Sequence, residues 1–232
     1  MTVSTTSLCT PIVKICGLTV EAAHCAISSG ADLIGMILVP DLKRTVQQTK
    51  LKAISRAVTR IPGVPTSPSR GIDRPSHGLV RGTFSADYTS WPLVVGVFRN
   101  QSLDEVLRML RNYDLDIVQL HGSEPLHQWT REIPVPVIKK FGLGEDDLMA
   151  PGLHAVTLLD GGAGGEGQKI SWEGLPGSGA FMLAGGLTVD NVAVAVKIPN
   201  VAGVDVSSGV ATDGMQDLEK NCRCLFRNAK GW

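Results

Sequence analysis

Eight short apolar, β-branched runs alternate with helix-length segments along 232 residues, and two consecutive runs near the C-terminal end finish in glycine-rich loops. Together these observations predict an α/β protein built as a single (β/α)8 TIM barrel, with parallel strands buried on both faces. The length fits, since one such barrel commonly takes roughly 200–250 residues. The expected organisation is therefore one domain over 1–232.

The expected strands are 12–16, 33–38, 94–98, 117–120, 135–139, 155–159, 181–184 and 203–206. Thr19, followed by Glu21, Ala22 and Ala23, starts a helix that ends at Gly30. Thr45 starts a second, which carries Leu51, Ile54 and Val58 at helical spacing. From 61 to 91 the chain is rich in Pro, Ser, Gly and Arg without apolar periodicity, which reads as an irregular surface insertion after the second helix. Ser102 and Glu105 form a capping box ahead of Val106, Leu107 and Leu110. A short fifth helix is expected at 144–149, and the last two at 190–196 and 217–229.

With 22 Lys+Arg against 22 Asp+Glu the formal charge is zero, so bulk electrostatics favour neither nucleic acid nor an anionic membrane, and an anionic ligand needs a local site. The first residues lack the basic and apolar regions of a signal peptide, and no segment approaches the ~20 apolar residues of a membrane span. A cytoplasmic protein is expected, as a monomer or weak dimer. Five cysteines at irregular spacings argue against a disulfide framework, and Cys222 and Cys224 have no second Cys or His pair to complete a zinc site, so no metal is expected.

Catalysis in this architecture sits at the C-terminal ends of the strands. There the first strand ends in Cys16 and the sixth in Asp160, a thiol and a carboxyl suited to acid/base work. Taken singly, each also has a structural reading, as a small buried hydrophobe and as a turn former before Gly161. The loops after the last two strands, with Gly185 and Gly186 and then Ser208 and Gly209, have small residues whose N–H groups approach an anion closely, and they point to a phosphorylated small molecule.

Six segments then occur in order: Val-Lys-Ile-Cys-Gly-Leu-Thr (13–19), Ile-Val-Gln-Leu-His-Gly (117–122), Leu-Leu-Asp (158–160), Gly-Gly-Glu-Gly (164–167), Ala-Gly-Gly-Leu-Thr (184–188) and Val-Asp-Val-Ser-Ser-Gly-Val (204–210). This set resembles phosphoribosylanthranilate isomerase, an enzyme of tryptophan biosynthesis, from 12 to about 229. The insertion and the Ile-Leu-Val-Pro before Lys43-Arg44 resemble the fungal versions, in which the barrel usually closes a longer polypeptide.

The resemblance implies an Amadori rearrangement of N-(5-phosphoribosyl)anthranilate without a cofactor. Asp160 would be the general acid and Cys16 the general base, which asks Asp160 to hold a proton and Cys16 to reach the thiolate in an electropositive setting. It implies that Arg44 holds the anthranilate carboxylate, that Gln119, His121 and Asp205 line the aromatic end of the site, and that Gly185, Gly186, Ser208 and Gly209 hold phosphate. His121 is expected as a hydrogen-bonded wall residue. The Lys14 side chain is expected to point away from the Cys16 face or to pack beneath it, with no catalytic role.

Three positions depart from the family pattern. Gly161 replaces Ser or Thr, Glu166 replaces a hydroxyl residue near the phosphate, and Ala211 replaces Glu. A carboxylate at 166 would repel phosphate unless it faces solvent or pairs with Lys169. These changes keep a second reading open, a barrel recruited to specialised metabolism that isomerises or cyclises a different substrate in the same mouth. A third is a non-catalytic binder, against which the joint presence of Cys16, Asp160 and Arg44 argues.

Overall fold

The computed structural model describes residues 10–42, 44–59, 92–146, 148, 150, 152–161, 172–212, 215–218 and 229. Its strands are β1 (Ile12–Cys16), β2 (Leu33–Ile37), β3 (Leu93–Phe98), β4 (Ile117–Leu120), β5 (Val137–Phe141), β6 (Val156–Leu159), β7 (Phe181–Leu183) and β8 (Val201–Val206), and they close a barrel in chain order, every neighbour parallel. Helices α1 (Val20–Ser28), α2 (Gln48–Thr59), α3 (Leu103–Asn112), α4 (Leu126–Glu132) and α5 (Val192–Ala195) are described, and β9 (Ala211–Thr212) pairs antiparallel with β10 (Met215–Gln216) in a small hairpin after β8.

Two apolar clusters hold this together. Inside the barrel lie Leu33, Leu93, Val95, Ile117, Ile138, Val156, Leu158, Met182 and Ala184, which alternate along their strands with residues that face the helices. The larger cluster fills the space between strands and helices, with Phe98 and Phe181 fully buried. Each such side chain contributes about 1.5–3 kcal/mol through area removed from water. Helix α3 shows how its sequence dictates its place: the Ser102 hydroxyl accepts from Glu105 N at 3.3 Å, and Val106, Met109 and Leu110 form the buried stripe. At the opposite end of the barrel from the strand C-termini, Asp32 accepts Val13 N at 2.7 Å and Asp116 accepts Val94 N at 2.9 Å. These carboxylates satisfy backbone donors where strands begin.

The barrel and the Thr19 cap of α1 match the expectation, the Thr19 hydroxyl accepting from Ala22 N at 3.2 Å. Several boundaries move. Strand β5 begins two residues later than expected, because Pro134 and Pro136 have no N–H for the ladder, and it continues to Phe141. Thr45 does not start α2; its hydroxyl bonds the Val39 carbonyl and accepts Leu42 N at 3.2 Å, closing a loop, and the helix begins at Gln48. No helix forms among the described residues of 144–149, where Glu145 folds back to accept Gly142 N at 2.7 Å and Gly144 takes φ +80°. The expected helix at 190–196 shrinks to α5.

The insertion at 61–91 lies outside the described residues, as does most of the helix expected at 217–229, of which Leu218 and Ala229 are described. Cys25 is disulfide-bonded, although the number and spacing of the cysteines argue against a disulfide framework. No helix among the described residues is long and apolar enough to cross a membrane.

Candidate active site

Strand parity places the first set of groups. Along β1 the positions 12, 14 and 16 share the inner face, and the Lys14 side chain, fully buried, donates from Nζ to Asp205 Oδ2 on β8 at 2.6 Å. Register makes this meeting unavoidable, since Lys14 and Asp205 are direct partners across the β1–β8 pair. Lys14 therefore does not point away from the Cys16 face; it packs beneath Cys16 on that same face, as a two-residue period requires. The expectation had allowed both.

Cys16 closes β1 at 5 % exposure, opposite Gly35 on β2. A Cβ at 35 would sit 2.7 Å from the Cys16 sulfur, so glycine there makes room for the thiol. Next, Gly17 turns the chain with φ +73°, a left-handed conformation that favours glycine. Arg44, half-buried, donates from Nη1 to the Ser207 hydroxyl, and that hydroxyl donates to the Cys16 carbonyl at 3.2 Å. Arg44 is thus tied to the end of β1 through the end of β8. Lys43 lies outside the described residues.

The second set enters from β4 and β6. Gln119 and His121 follow Ile117 on the inner face, and Asp160 follows Val156 and Leu158. Gln119 Nε2 lies 3.4 Å from His121 Nδ1, and His121 Nε2 lies 3.7 Å from Asp160 Oδ2. With the Gln119 amide donating to Nδ1, the imidazole proton sits on Nε2, on the side of the carboxylate. Burial, reinforced by the Lys14 and Lys140 ammoniums, pushes His121 down to about 4, so it is neutral near pH 7. Burial likewise raises the Cys16 thiol, against the opposing pull of Lys14 and Arg44. The electropositive neighbours expected of Cys16 are present, yet desolvation outweighs them and the resting group is a thiol.

Three buried polar atoms on these inner positions have no hydrogen-bond partner among the described residues: Gln119 Oε1, His121 Nε2 and Asp205 Oδ1. Native interiors rarely leave such atoms unpaired, and these three inward atoms are free to pair with polar groups that enter the barrel mouth.

The third set is the pair of loops after β7 and β8. Gly185 and Gly186 take φ +87° and +63°, and Asn191 locks their loop by accepting Thr188 N at 2.8 Å and donating to the Gly186 carbonyl at 3.0 Å. Thr188 and Gly209 then join the two loops in an isolated parallel bridge. A Cβ on Gly209 would lie 1.7 Å from the Leu187 carbonyl oxygen, so only glycine permits this approach. The structure thus joins the loop that carries Gly185 and Gly186 to the loop that carries Ser208 and Gly209.

Among the departures, Gly161 is exposed and Ala211 lies half-buried in β9, while Glu166, Lys169 and the Gly-Gly-Glu-Gly loop fall outside the described residues. Sequence reading missed Ser207, having chosen exposed Ser208 for the site. Parity was the available signal, because 207 is in phase with inward Asp205 and 208 is not. It also missed Lys140, whose ammonium at the end of β5 acts on His121. Among the described residues no group of His, Cys, Asp or Glu is arranged to hold a metal ion.

A family model described as N-(5'phosphoribosyl)anthranilate (PRA) isomerase matches residues 82–224. The chain is 41% identical over 237 residues to the N-(5'-phosphoribosyl)anthranilate isomerase of Komagataella pastoris, covering 94% of this chain and 99% of that protein. It is 42% identical over 224 residues to the multifunctional tryptophan biosynthesis protein of Schizosaccharomyces pombe, of which it spans 28%. Among solved structures, the phosphoribosyl anthranilate isomerase of Thermus thermophilus superposes with a TM-score of 0.72 at 28% identity, over 94% of this chain and 97% of that one. A phosphoribosyl anthranilate isomerase in complex with reduced 1-(o-carboxyphenylamino)-1-deoxyribulose 5-phosphate does so with 0.66 at 26%, over 96% of this chain and all (100%) of that one.

Proposed function

Because this chain belongs to the N-(5'-phosphoribosyl)anthranilate isomerase family, we propose that it converts N-(5'-phosphoribosyl)anthranilate to 1-(2-carboxyphenylamino)-1-deoxyribulose 5-phosphate in tryptophan biosynthesis, with Asp160 as general acid and Cys16 as general base. The observation that carries the residue assignment is the arrangement of the inner face: an inward thiol ending β1 and an inward carboxyl after β6, with unpartnered polar atoms on β4, β8 and the loop after β4. The neutral state of His121 strengthens the choice of Asp160, since an imidazole titrating near 4 has already lost its acidic proton at pH 7 and keeps only a very weakly acidic N–H.

In this reading Asp160 gives its proton to the ribose ring oxygen as the C1'–O bond breaks, leaving a Schiff base between C1' and the anthranilate nitrogen. The Cys16 thiolate takes the C2' proton, and the electron pair moves into the new C=C bond of an enolamine. Tautomerisation then places a proton on C1' and a carbonyl at C2'. Atoms balance within the substrate and the two side chains, so no redox partner or cofactor enters. Arg44 binds the anthranilate carboxylate as a planar donor. Gln119, His121 and Asp205 line the aromatic end, with the His121 Nε2–H directed at the reacting side. Gly185, Gly186, Ser208 and Gly209 take the phosphate through backbone N–H groups.

Since the resting Cys16 is a thiol, kcat/KM should climb with pH as the thiolate forms, its acid limb following the raised thiol. The direct test is conversion of the phosphoribosyl substrate by the purified protein, with growth of a tryptophan auxotroph lacking the isomerase as the cellular version. Cys16→Ala and Asp160→Ala should each lose on the order of 10²–10⁴ in kcat with native circular dichroism. A folded, soluble wild-type chain without turnover would sink the reading, and a fully active Asp160→Ala would remove the assigned acid.

A further inference from the structure

A lysine fully buried inside a barrel is costly to keep charged, and ion pairing alone rarely repays that cost. Lys14 keeps its charge through Asp205, at 2.6 Å, and sits two residues before Cys16 on the same inner face. The proposed mechanism leaves it unused. Yet the same ammonium also acts on Cys16, the next inward position along β1, and favours its thiolate. Asp205 Oδ1 has no partner among the described residues, so the pair is incomplete on its carboxylate side.

We propose that Lys14 is the positioning residue of the base: its ammonium, anchored by Asp205 on the neighbouring strand, faces the Cys16 thiol from below and stabilises the thiolate that the reaction consumes. This rests on the reading of Cys16 as the base. Geometry explains why a lysine serves here. The stem lies on the inner face of β1, and one point charge with three donors can serve a carboxylate and a sulfur at once. Electrostatics agree in direction: burial raises the thiol, Lys14 is the largest opposing influence and Arg44 a smaller one, while Asp205 adds to the rise. The charged groups acting on Cys16 are thus Lys14 on its own strand, Asp205 on β8 and Arg44 beyond β2. Without Lys14, burial and Asp205 would act in the same direction against ionisation.

The test titrates the thiolate by absorbance near 240 nm, as the difference between each protein and its Cys16→Ser counterpart, alongside the pH profile of kcat/KM. Lys14→Met should move the thiolate midpoint to higher pH by a unit or more, a tenfold or greater loss of thiolate at a fixed pH below the midpoint. The acid limb of kcat/KM should move with it. Lys14→Met/Asp205→Asn leaves no unpaired carboxylate behind and should still shift the midpoint upward, though less. A folded variant of either kind whose midpoint and acid limb stay at wild-type values would overturn the proposal. So would collapse of both variants, which would make the pair scaffold only. The absorbance arm needs no substrate, so a wild type without isomerase turnover would defeat the functional reading while this titration still reports on Lys14 and Cys16.

Discussion

Among the described residues of this barrel lie two buried lysine–carboxylate pairs, and they differ in how completely they are satisfied. Between strands and helices, Lys139 Nζ donates to Glu124 Oε2 at 2.9 Å and to the Gly122 carbonyl, while Glu124 also accepts Asn100 N at 2.9 Å and Gly122 N at 3.1 and 3.0 Å. Both oxygens of Glu124 are occupied. Inside the barrel, Asp205 accepts from Lys14 through Oδ2 alone, and its Oδ1 has no partner among the described residues. The lesson is that the same two charges serve different ends. The saturated pair fixes the loop after β4 and so the backbone that carries His121; the unsaturated pair faces the mouth and leaves an acceptor over.

That contrast can be broken most severely at Glu124. In Lys139→Met/Glu124→Leu the Asn100 and Gly122 N–H groups lose their acceptor, and chemical denaturation should show a loss of about 3–5 kcal/mol, combining orphaned donors with a disrupted loop. Removing both charges of the inner pair in Lys14→Met/Asp205→Asn strands no backbone donor, so its stability should change by no more than about 1 kcal/mol. Equal losses in the two double variants would erase the distinction.

The loop that Glu124 holds also carries a pH signature. His121 is depressed in the folded chain to about 4 from an ordinary 6.5, so its contribution is fully present above 6.5 and disappears as pH falls from 6.5 toward 4. Integrated, the depression corresponds to about 3 kcal/mol at most, and thermal melts across that window should show His121→Gln losing less stability on acidification than wild type. Parallel losses in both proteins would place the acid sensitivity elsewhere. The smallest effect should come from a position that belongs to neither pair: Ser102→Ala removes the α3 cap and should cost about 1 kcal/mol, with kcat unchanged.

The fold was legible because its signals are local. Alternating apolar residues and β-branched runs marked all eight strands, and Thr19 and Ser102 marked helix starts through side-chain chemistry that acts within three residues. Where a local signal had competing partners, it failed: Thr45 has a capping side chain but spends it on Val39 and Leu42, and the residues near 144–149 turn around Glu145 instead of forming a helix. Cys16, Asp160, Arg44 and the glycines were visible as motif residues. Ser207 was passed over in favour of Ser208, and Lys14 was left without a role.

The sequence by itself determined the order of the strands, the chemistry available at their ends and the glycines that let loops approach. Only the tertiary structure decided which of those groups share an environment. Barrel closure sets β1 beside β8, and so Lys14 against Asp205, although 191 residues separate them along the chain. The same closure removes Cys16 from water, and desolvation is a property of everything packed around a group, which no neighbouring residue in the chain can encode.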